Sequence, residues 1–304
     1  MSNVIAIVWD FDKTLIDGYM EDPLFADFEI DSHAFWKEVN ALPGKYEKEQ
    51  GIRVNSETIY LNHMLKYVRD GRLKNLSNSK LKEYGNRLPF YKGIPEIFKS
   101  TKELIDTNKD YQMYDIKLEH YIVSTGLTEI IKGSPVQRYV DGIWGCEFIE
   151  AENEKGDMVI SEVGYTIDNT TKTRALFEIN KGVGKQPNVE VNTKLPEDFR
   201  RVKFINMIYV ADGPSDIPAF SVVNQYGGAT FAIYPHGNMK ALKQVETMRE
   251  NGRINMFAEA DYSEGSTAYM WLTNKIMEFA DRIVRESKER LAQYTQKGLP
   301  QHLT

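Results

Sequence analysis

The chain has almost no cysteine and no long apolar run. One thiol, Cys146, among 304 residues can close no intrachain disulfide and build no thiolate metal cluster, so oxidative cross-linking plays no part and the cytoplasm is the expected compartment. No apolar stretch approaches the ~20 residues of a membrane-spanning helix, so no membrane partner is expected. The N-terminal MSNVIAIVWDF has neither a basic region before its apolar run nor a small-residue cleavage site after it, and it reads as a core strand, not as a secretory signal. Basic residues are also sparse. Lys and Arg number 38 against 44 Asp and Glu, a net charge of −6, and no basic stripe gathers them as a phosphate backbone would require, which sets nucleic acid aside as a partner. The short cluster RESKER at 285–290 alternates in sign, as a solvated helix face does. No repeat period stands out, and no pattern sets an oligomeric state.

What remains is an ordinary globular composition, 41% hydrophobic and 27% charged, in a chain long enough for roughly two units at about 150 residues each. Three segments have the texture of buried parallel strands that stop at small or acidic residues: VIAIVWDFD, LEHYIVSTG and FINMIYVADG. Ligands of open α/β sheets bind at the carboxyl ends of strands, so Asp10 and Asp12, Ser124 and Thr125, and Asp212 are expected to share one site.

Between the first two strands, residues 18–93 are rich in charged and aromatic residues. SETIYLNHMLKYVRDGRL places Ile59, Leu61, Met64, Leu65 and Val68 near one helical stripe. Pro89, Gly93 and Pro95 punctuate its end. The expectation is a mostly helical domain, 18–93, inserted into an α/β domain of 1–17 and 94–304. Further on, Cys146–Ile149 and Val163–Ile167 are expected to form a hairpin around ENEKGD, and TKTRALFEINKG a helix ending at Gly182. GATFAIY reads as a strand, MWLTNKIMEFADRIVRESKERLAQY as a closing helix, and 182–202 as a loop.

The chemistry starts where the first strand ends. Two carboxylates one residue apart repel one another, and burying them is costly without a compensating cation. Side chains alternate along a strand, so Asp10 and Asp12 fall on one side. A hard, oxygen-liganded ion such as Mg²⁺ would neutralise them, with Asp212 completing its protein ligands. In YVADGPSDIPAF, Gly213 permits a tight turn and Asp216 is placed to start a helix.

Four pieces of sequence in this order carry a resemblance: DFDKT at 10–14, the strand-end Ser124 in IVSTG, Lys172 in TKTRAL, and ADGPSD with Asp212 and Asp216. The chain resembles the haloacid dehalogenase superfamily, in its magnesium-dependent phosphatase branch, over roughly 4–18 and 95–273. The resemblance implies a three-layer, Rossmann-like parallel sheet, with the insertion similar to a C1-type helical cap. The hairpin before Lys172 is similar to that of the phosphoserine phosphatase-like group. In that group a glutamate soon after the first motif reads the substrate amine. The matching position here is Tyr19, with Glu21 displaced by two, which counts against phosphoserine.

Carried over residue by residue, the resemblance implies that Asp10 attacks phosphorus and that Asp12 serves as acid and then base. Ser124, Lys172 and the backbone at Thr125 and Gly126 would hold the phosphate. Mg²⁺ would be bound by Asp10, the carbonyl of Asp12, and Asp212, with Asp216 orienting a water ligand or Lys172. Lys181, Lys185 and Lys194 lie in the same interval; Lys172 is preferred because a helix N-terminus reinforces a phosphate site.

Asp12 argues against dehalogenation, since dehalogenases of the superfamily lack that residue, and the absence of apolar spans argues against an ion pump. Hydrolysis of a small phosphorylated metabolite is the expected activity. Phosphotransfer or a phosphomutase reaction through the same intermediate is the runner-up, and a non-catalytic phosphate- or protein-binding module is the alternative of another class. His236, Cys146 and Trp9 are given structural readings. Arg69, Lys66, Lys45, Tyr60 and Trp36 are open between leaving-group contact and the solvated face.

Overall fold

Strand β1 (Val4–Trp9) is buried along its whole length because it lies in the middle of a sheet covered on both faces. The structure is a computed structural model that describes residues 3–297. Residues 1–2 and 298–304, which fall within the expected α/β domain, lie outside the described residues. Seven strands form one sheet: β1, β2 (Lys117–Leu127), β3 (Gly142–Glu152), β4 (Met158–Tyr165), β5 (Met207–Ala211), β6 (Ala229–Tyr234) and β7 (Met256–Glu259), in the order β4-β3-β2-β1-β5-β6-β7. All pair in parallel except β4, which runs antiparallel to β3. The order reverses between β1 and β5, the switch point at which open α/β sheets bind ligands.

Register fixes the depth of the strand ends. Trp9 stands beside Ile122 of β2 and Val210 of β5. One residue on, Asp10 is therefore level with Ala211, the last residue of β5, and with Val123 inside β2, so that Asp212 follows the end of β5 and Ser124 lies close to the end of β2 at Leu127.

Four helices follow β1: α1 (Asp22–Asp27), α2 (Ser32–Gln50), α3 (Ile59–Arg69) and α4 (Asn78–Tyr84). They precede α5 (Glu96–Asp106), α6 (Lys109–Met113), α7 (Thr128–Lys132), α8 (Asn169–Lys181), α9 (Ile217–Gln225), α10 (Met239–Glu250) and α11 (Thr267–Lys297). The faces follow from alternation along the strands. Trp9 packs on Phe98 of α5 at 5.2 Å between ring centroids, and Phe231, which faces the same way, stacks on Trp271 of α11 at 4.6 Å. Tyr209, on the opposite parity, meets Phe220 of α9 at 5.3 Å. Asp10, one residue past Trp9, points to the side of α8 and α9.

The helical segment hangs from two chain crossings that lie side by side. Asp17 N–H donates to Pro89 O at 2.9 Å and Tyr91 N–H to Leu15 O at 3.0 Å. Elsewhere α4 presses on α7 through two glycines. A Cβ on Gly133 would stand 1.7 Å from the Lys82 carbonyl oxygen, and one on Gly85 2.3 Å from that of Ile130.

The hairpin is longer and earlier than expected from its apolar residues. β3 begins at Gly142 because its first residues pair with β2, Tyr121 opposite Gly142 and Val123 opposite Trp144. The antiparallel ladder then runs out to Glu152 opposite Met158, held by backbone pairing where the side chains are exposed. β4 ends at Tyr165, and Ile167 leaves the ladder to donate its N–H to Cys146 Sγ. The turn falls within ENEKGD, with Asn153 Oδ1 accepting from Lys155 and Asp157 N–H. β5 starts at Met207, since Phe204–Asn206 forms a 3₁₀ turn, and α11 begins at Thr267, ahead of the expected Met270.

Candidate active site

Asp10 is the first residue beyond β1, and its N–H still bonds to Val210 O at 2.8 Å, which fixes the backbone at the mouth of the β1–β5 pair. The chain then turns sharply, with Lys13 in the left-handed region at φ 57°. That turn brings Thr14 Oγ1 back to Asp10 Oδ2 at 3.3 Å.

Lys172 reaches Asp10 from the first turn of α8. The helix begins at Asn169 because Asp168 caps it: Asp168 Oδ1 accepts from Thr170 and Thr171 N–H, and Thr171 Oγ1 accepts from Asp168 N–H, a reciprocal capping box. So anchored, Lys172 is 1% exposed, with Nζ 2.8 Å from Asp10 Oδ1 and 2.6 Å from Asp216 Oδ1. Burial would lower its ammonium, yet Asp10 and Asp216 hold it above its ordinary value. The other lysines in that interval are elsewhere. Lys181 Nζ donates to Thr193 O, and Lys185 lies 3.5 Å from Glu119 and 3.7 Å from Asp141.

Asp216 stands at the start of α9, as expected, but its side chain makes no cap hydrogen bond. Its carboxylate accepts instead from Lys172, from Tyr209 Oη at 2.6 Å and from Ser215 Oγ at 2.9 Å. An inward charge outcompetes the helix terminus for those oxygens.

Asp10, Asp212 and Asp216 each bring a carboxylate oxygen within 4.8 Å of the others. Burial, followed by the neighbouring charges, pushes Asp212 up to about 8; burial lifts Asp10 to about 6 against the opposing pull of Lys172. Lys172 alone does not neutralise three carboxylates. Hard, crowded, incompletely compensated oxygen donors are the set that a small divalent cation suits.

Asp12 lies beside this cluster. Its Oδ1 accepts the Met20 N–H at 3.0 Å, and burial, then Glu21 and Asp10, hold its carboxyl well above the usual range. The end of β2 faces it. Ser124 is buried, with Oγ accepting the Gly126 N–H at 3.0 Å. The Thr125 carbonyl accepts from Tyr60 Oη at 2.8 Å and from Cys146 Sγ at 3.2 Å. Gly126 is needed for closeness: a Cβ there would stand 2.2 Å from Met20 Cε and 3.3 Å from Asp12 Oδ2.

A cavity of 160 Å³ opens over Asp12, bounded by Tyr19, Glu21, Trp36, Glu57 and Tyr60 from the inserted segment and by Thr125, Gly126 and Ser215 from the sheet side. Trp36 and Tyr60 thus face this cavity. Lys66 and Arg69 line a different cavity with Leu42 and Tyr46. His236 is 90% exposed and paired with Glu259, and Cys146 is buried, its thiol pushed up to about 11; both keep structural readings. Trp9 is in the core.

Tyr209 is the participant that sequence reasoning missed. The signal available was a phenol inside the buried run IYVA, since a buried Tyr usually needs a partner for its hydroxyl. Asp168 was likewise passed over in favour of the threonines that follow it.

No protein-family model matches the chain. Among solved structures, a HAD-family hydrolase of Salmonella enterica serovar Typhi superposes with a TM-score of 0.52 at 15% identity, over 84% of this chain and 67% of that one. A probable phosphoserine phosphatase from Vibrio cholerae superposes with a TM-score of 0.49 at 13% identity, over 94% and 68%. The fold is the haloacid dehalogenase fold, as the four motifs led us to expect. In sequence the chain is 37% identical over 287 residues to an uncharacterized protein of Borreliella burgdorferi, across 90% of this chain and 97% of that one. The two belong to one family.

Proposed function

We propose that this protein is a magnesium-dependent phosphatase that hydrolyses a small phosphomonoester through an aspartyl phosphate on Asp10. The observation that carries the reading is the pair of contacts at the end of β1 by which Lys172 bridges Asp10 and Asp216, beside the carboxyl of Asp12.

Asp10 Oδ attacks phosphorus, and the bond from phosphorus to the ester oxygen breaks. Asp12 gives its proton to that oxygen; its raised affinity for a proton is what a general acid near neutral pH requires. Asp12 then takes a proton from water, whose oxygen attacks phosphorus and releases the Asp10 carboxylate. Lys172 holds charge on the phosphoryl oxygens, with the Ser124 hydroxyl and the backbone at Thr125 and Gly126 on the other side. Mg²⁺, held by Asp10, the Asp12 carbonyl and Asp212, would neutralise the carboxylates and the phosphate charge. Asp216 has both oxygens engaged and suits the part of orienting Lys172.

In this reading residues 18–93 are the cap and the remainder is the catalytic domain. Tyr60, through Thr125, ties cap to core and helps exclude water from the first step. A cavity of 160 Å³ suits a small metabolite.

The test is phosphate release from a panel of phosphomonoesters that includes an aryl phosphate, with Mg²⁺, with chelator, and with Asp10→Asn. Release that needs both metal and Asp10 supports the proposal. Folded protein that releases nothing with metal present overturns it.

A further inference from the structure

Tyr262 lies outside the four motifs, in the loop between β7 and α11, and is 1% exposed. Its local turn aims it inward: on one side Ala260 N–H still bonds to Tyr234 O at 2.9 Å, and on the other Asp261 Oδ1 accepts the Ser263 N–H at 2.9 Å. The ring sets its edge on Trp9 at 5.7 Å between centroids, and the hydroxyl donates to Thr14 O at 2.6 Å. Burial raises the phenol well above its ordinary value, so it keeps the proton it donates. Thr14, itself wholly buried, turns its own hydroxyl to Asp10 Oδ2 at 3.3 Å. The backbone of Tyr262 meets the other crossing into the inserted segment. Its N–H donates to Lys92 O at 2.8 Å, and a Cβ on Gly93 would stand 2.2 Å from its carbonyl carbon.

A phenylalanine would pack on Trp9 as well, so the hydroxyl is what a tyrosine adds at this position. The turn it holds is tight: Lys13 is in the left-handed region, and the N–H groups of Thr14 and Leu15 both return to Phe11 O, at 3.2 and 2.8 Å. A nucleophile must be held near its line of attack, and a small displacement of it is costly in rate. Lys172 fixes Asp10 Oδ1 from the α8 side of the sheet; Tyr262 comes from the opposite face, beside Trp9, and reaches Oδ2 through Thr14. We propose that Tyr262 is a positioning residue for the reaction: its hydroxyl holds the Thr14 carbonyl, and Thr14 in turn holds the second oxygen of Asp10, where both crossings of the inserted segment meet the sheet. This rests on the phosphatase reading and adds to it a residue that acts through Thr14.

The experiment measures kcat and KM for p-nitrophenyl phosphate with Mg²⁺ in wild type, Tyr262→Phe, Thr14→Val and the double variant. Tyr111→Phe is the control, since it removes another buried phenol, one that donates to Asp281 Oδ1 at 2.8 Å between α6 and α11. Expected is a loss of about tenfold in kcat for Tyr262→Phe and for Thr14→Val, with KM within about twofold. The double variant should fall no more than about twofold below the lower single, because both changes cut one path. Tyr111→Phe should keep kcat within about twofold, which separates positioning from lost stability. An unchanged kcat in Tyr262→Phe or in Thr14→Val overturns the inference, and the second variant decides alone should the first not fold. Losses that multiply in the double variant to about a hundredfold overturn the path through Thr14. A control that loses as much kcat as Tyr262→Phe makes the effect one of stability and overturns the inference too. Each of these outcomes leaves the phosphatase reading standing, whereas folded wild type that releases phosphate from no ester of the panel overturns both.

Discussion

Tyr209 and Lys172 converge on one atom: the phenol oxygen and the ammonium nitrogen each lie 2.6 Å from Asp216 Oδ1. Tyr209 comes from the interior of β5 and Lys172 from the start of α8, so the shared oxygen locks a strand to a helix at the carboxyl end of the sheet. Asp216 has no other place to go, being wholly buried. Removing the phenol hydroxyl leaves Asp216 with a weaker hold on its orientation while Lys172 stays charged. We expect Tyr209→Phe to lower kcat by roughly tenfold with little change in KM, in keeping with a hydrogen bond to a charged group. Steady-state kinetics on variant whose circular dichroism matches wild type checks this; an unchanged kcat would remove Tyr209 from the site.

The lysines separate by position. Lys172 lies between two buried carboxylates, whereas Lys185 makes partly exposed pairs with Glu119 and Asp141 near the opposite ends of the strands. Lys172→Ala is expected to cost about a hundredfold or more in kcat/KM, because it removes charge at the phosphoryl oxygens and leaves Asp10 and Asp216 uncompensated. Lys185→Ala should stay within about twofold, as surface pairs contribute little. Equal small losses in the two variants would refute the assignment of Lys172.

How much of this was visible in the residues alone varies with what each feature depends on. β1, β2, β5 and β6 were legible because a parallel strand buried on both faces is largely apolar, without a break in β1 and β5 and with Glu119 and His120 interrupting β2. Asp10, Asp12 and Asp212 were legible because they end such runs. The outer half of the hairpin was not, since Ala151, Glu152 and Met158 pair through the backbone and leave no apolar signature. Nor was the choice among residues of the inserted segment, because which cavity Trp36 of α2 and Lys66 of α3 line is set by how those helices pack and not by the local sequence. Asp216 shows the limit in a single residue: its place at a helix start was readable, its inward partners were not.

The carboxylate cluster gives stability a dependence on pH that metal should remove. Asp212 rises from 3.8 to about 8 and Asp10 from 3.8 to about 6. A raised carboxyl binds protons more tightly folded than unfolded, so its contribution is fully present below pH 4 and is lost as pH rises through the folded value. In chelator, the melting temperature should therefore decline between about pH 5 and 8. Millimolar Mg²⁺ should raise it more at pH 8 than at pH 5, since the ion binds the deprotonated form. Scanning calorimetry across that range decides; an equal rise at both pH values would count against a carboxylate-bound ion.

A second titrating group acts with the opposite sign, away from the site. His120, on β2, is fully buried; Trp9 Nε1–H donates to its Nδ1 at 3.1 Å, and its Nε2 lies 3.1 Å from Thr101 Oγ1. Thr101 Oγ1 in turn donates to Ile97 O at 2.6 Å. With Trp9 able only to donate and the threonine proton directed to Ile97, the imidazole must be neutral with its hydrogen on Nε2. Burial first, and the charge of Lys102 second, depress it from 6.5 to about 3. A depressed base leaves stability complete above pH 6.5 and erodes it as pH falls toward 3, because the unfolded chain takes up the proton first. The slope is at most about 1.4 kcal/mol per pH unit for one proton. His120→Asn, which keeps an acceptor near Nδ1 and does not titrate, should flatten the acid limb of the stability curve by up to that amount while lowering stability at neutral pH. Ring resonances of His120 should stay fixed between pH 8 and 5; titration with a midpoint near 6 would mean that the chain from Trp9 to Ile97 does not hold the neutral form.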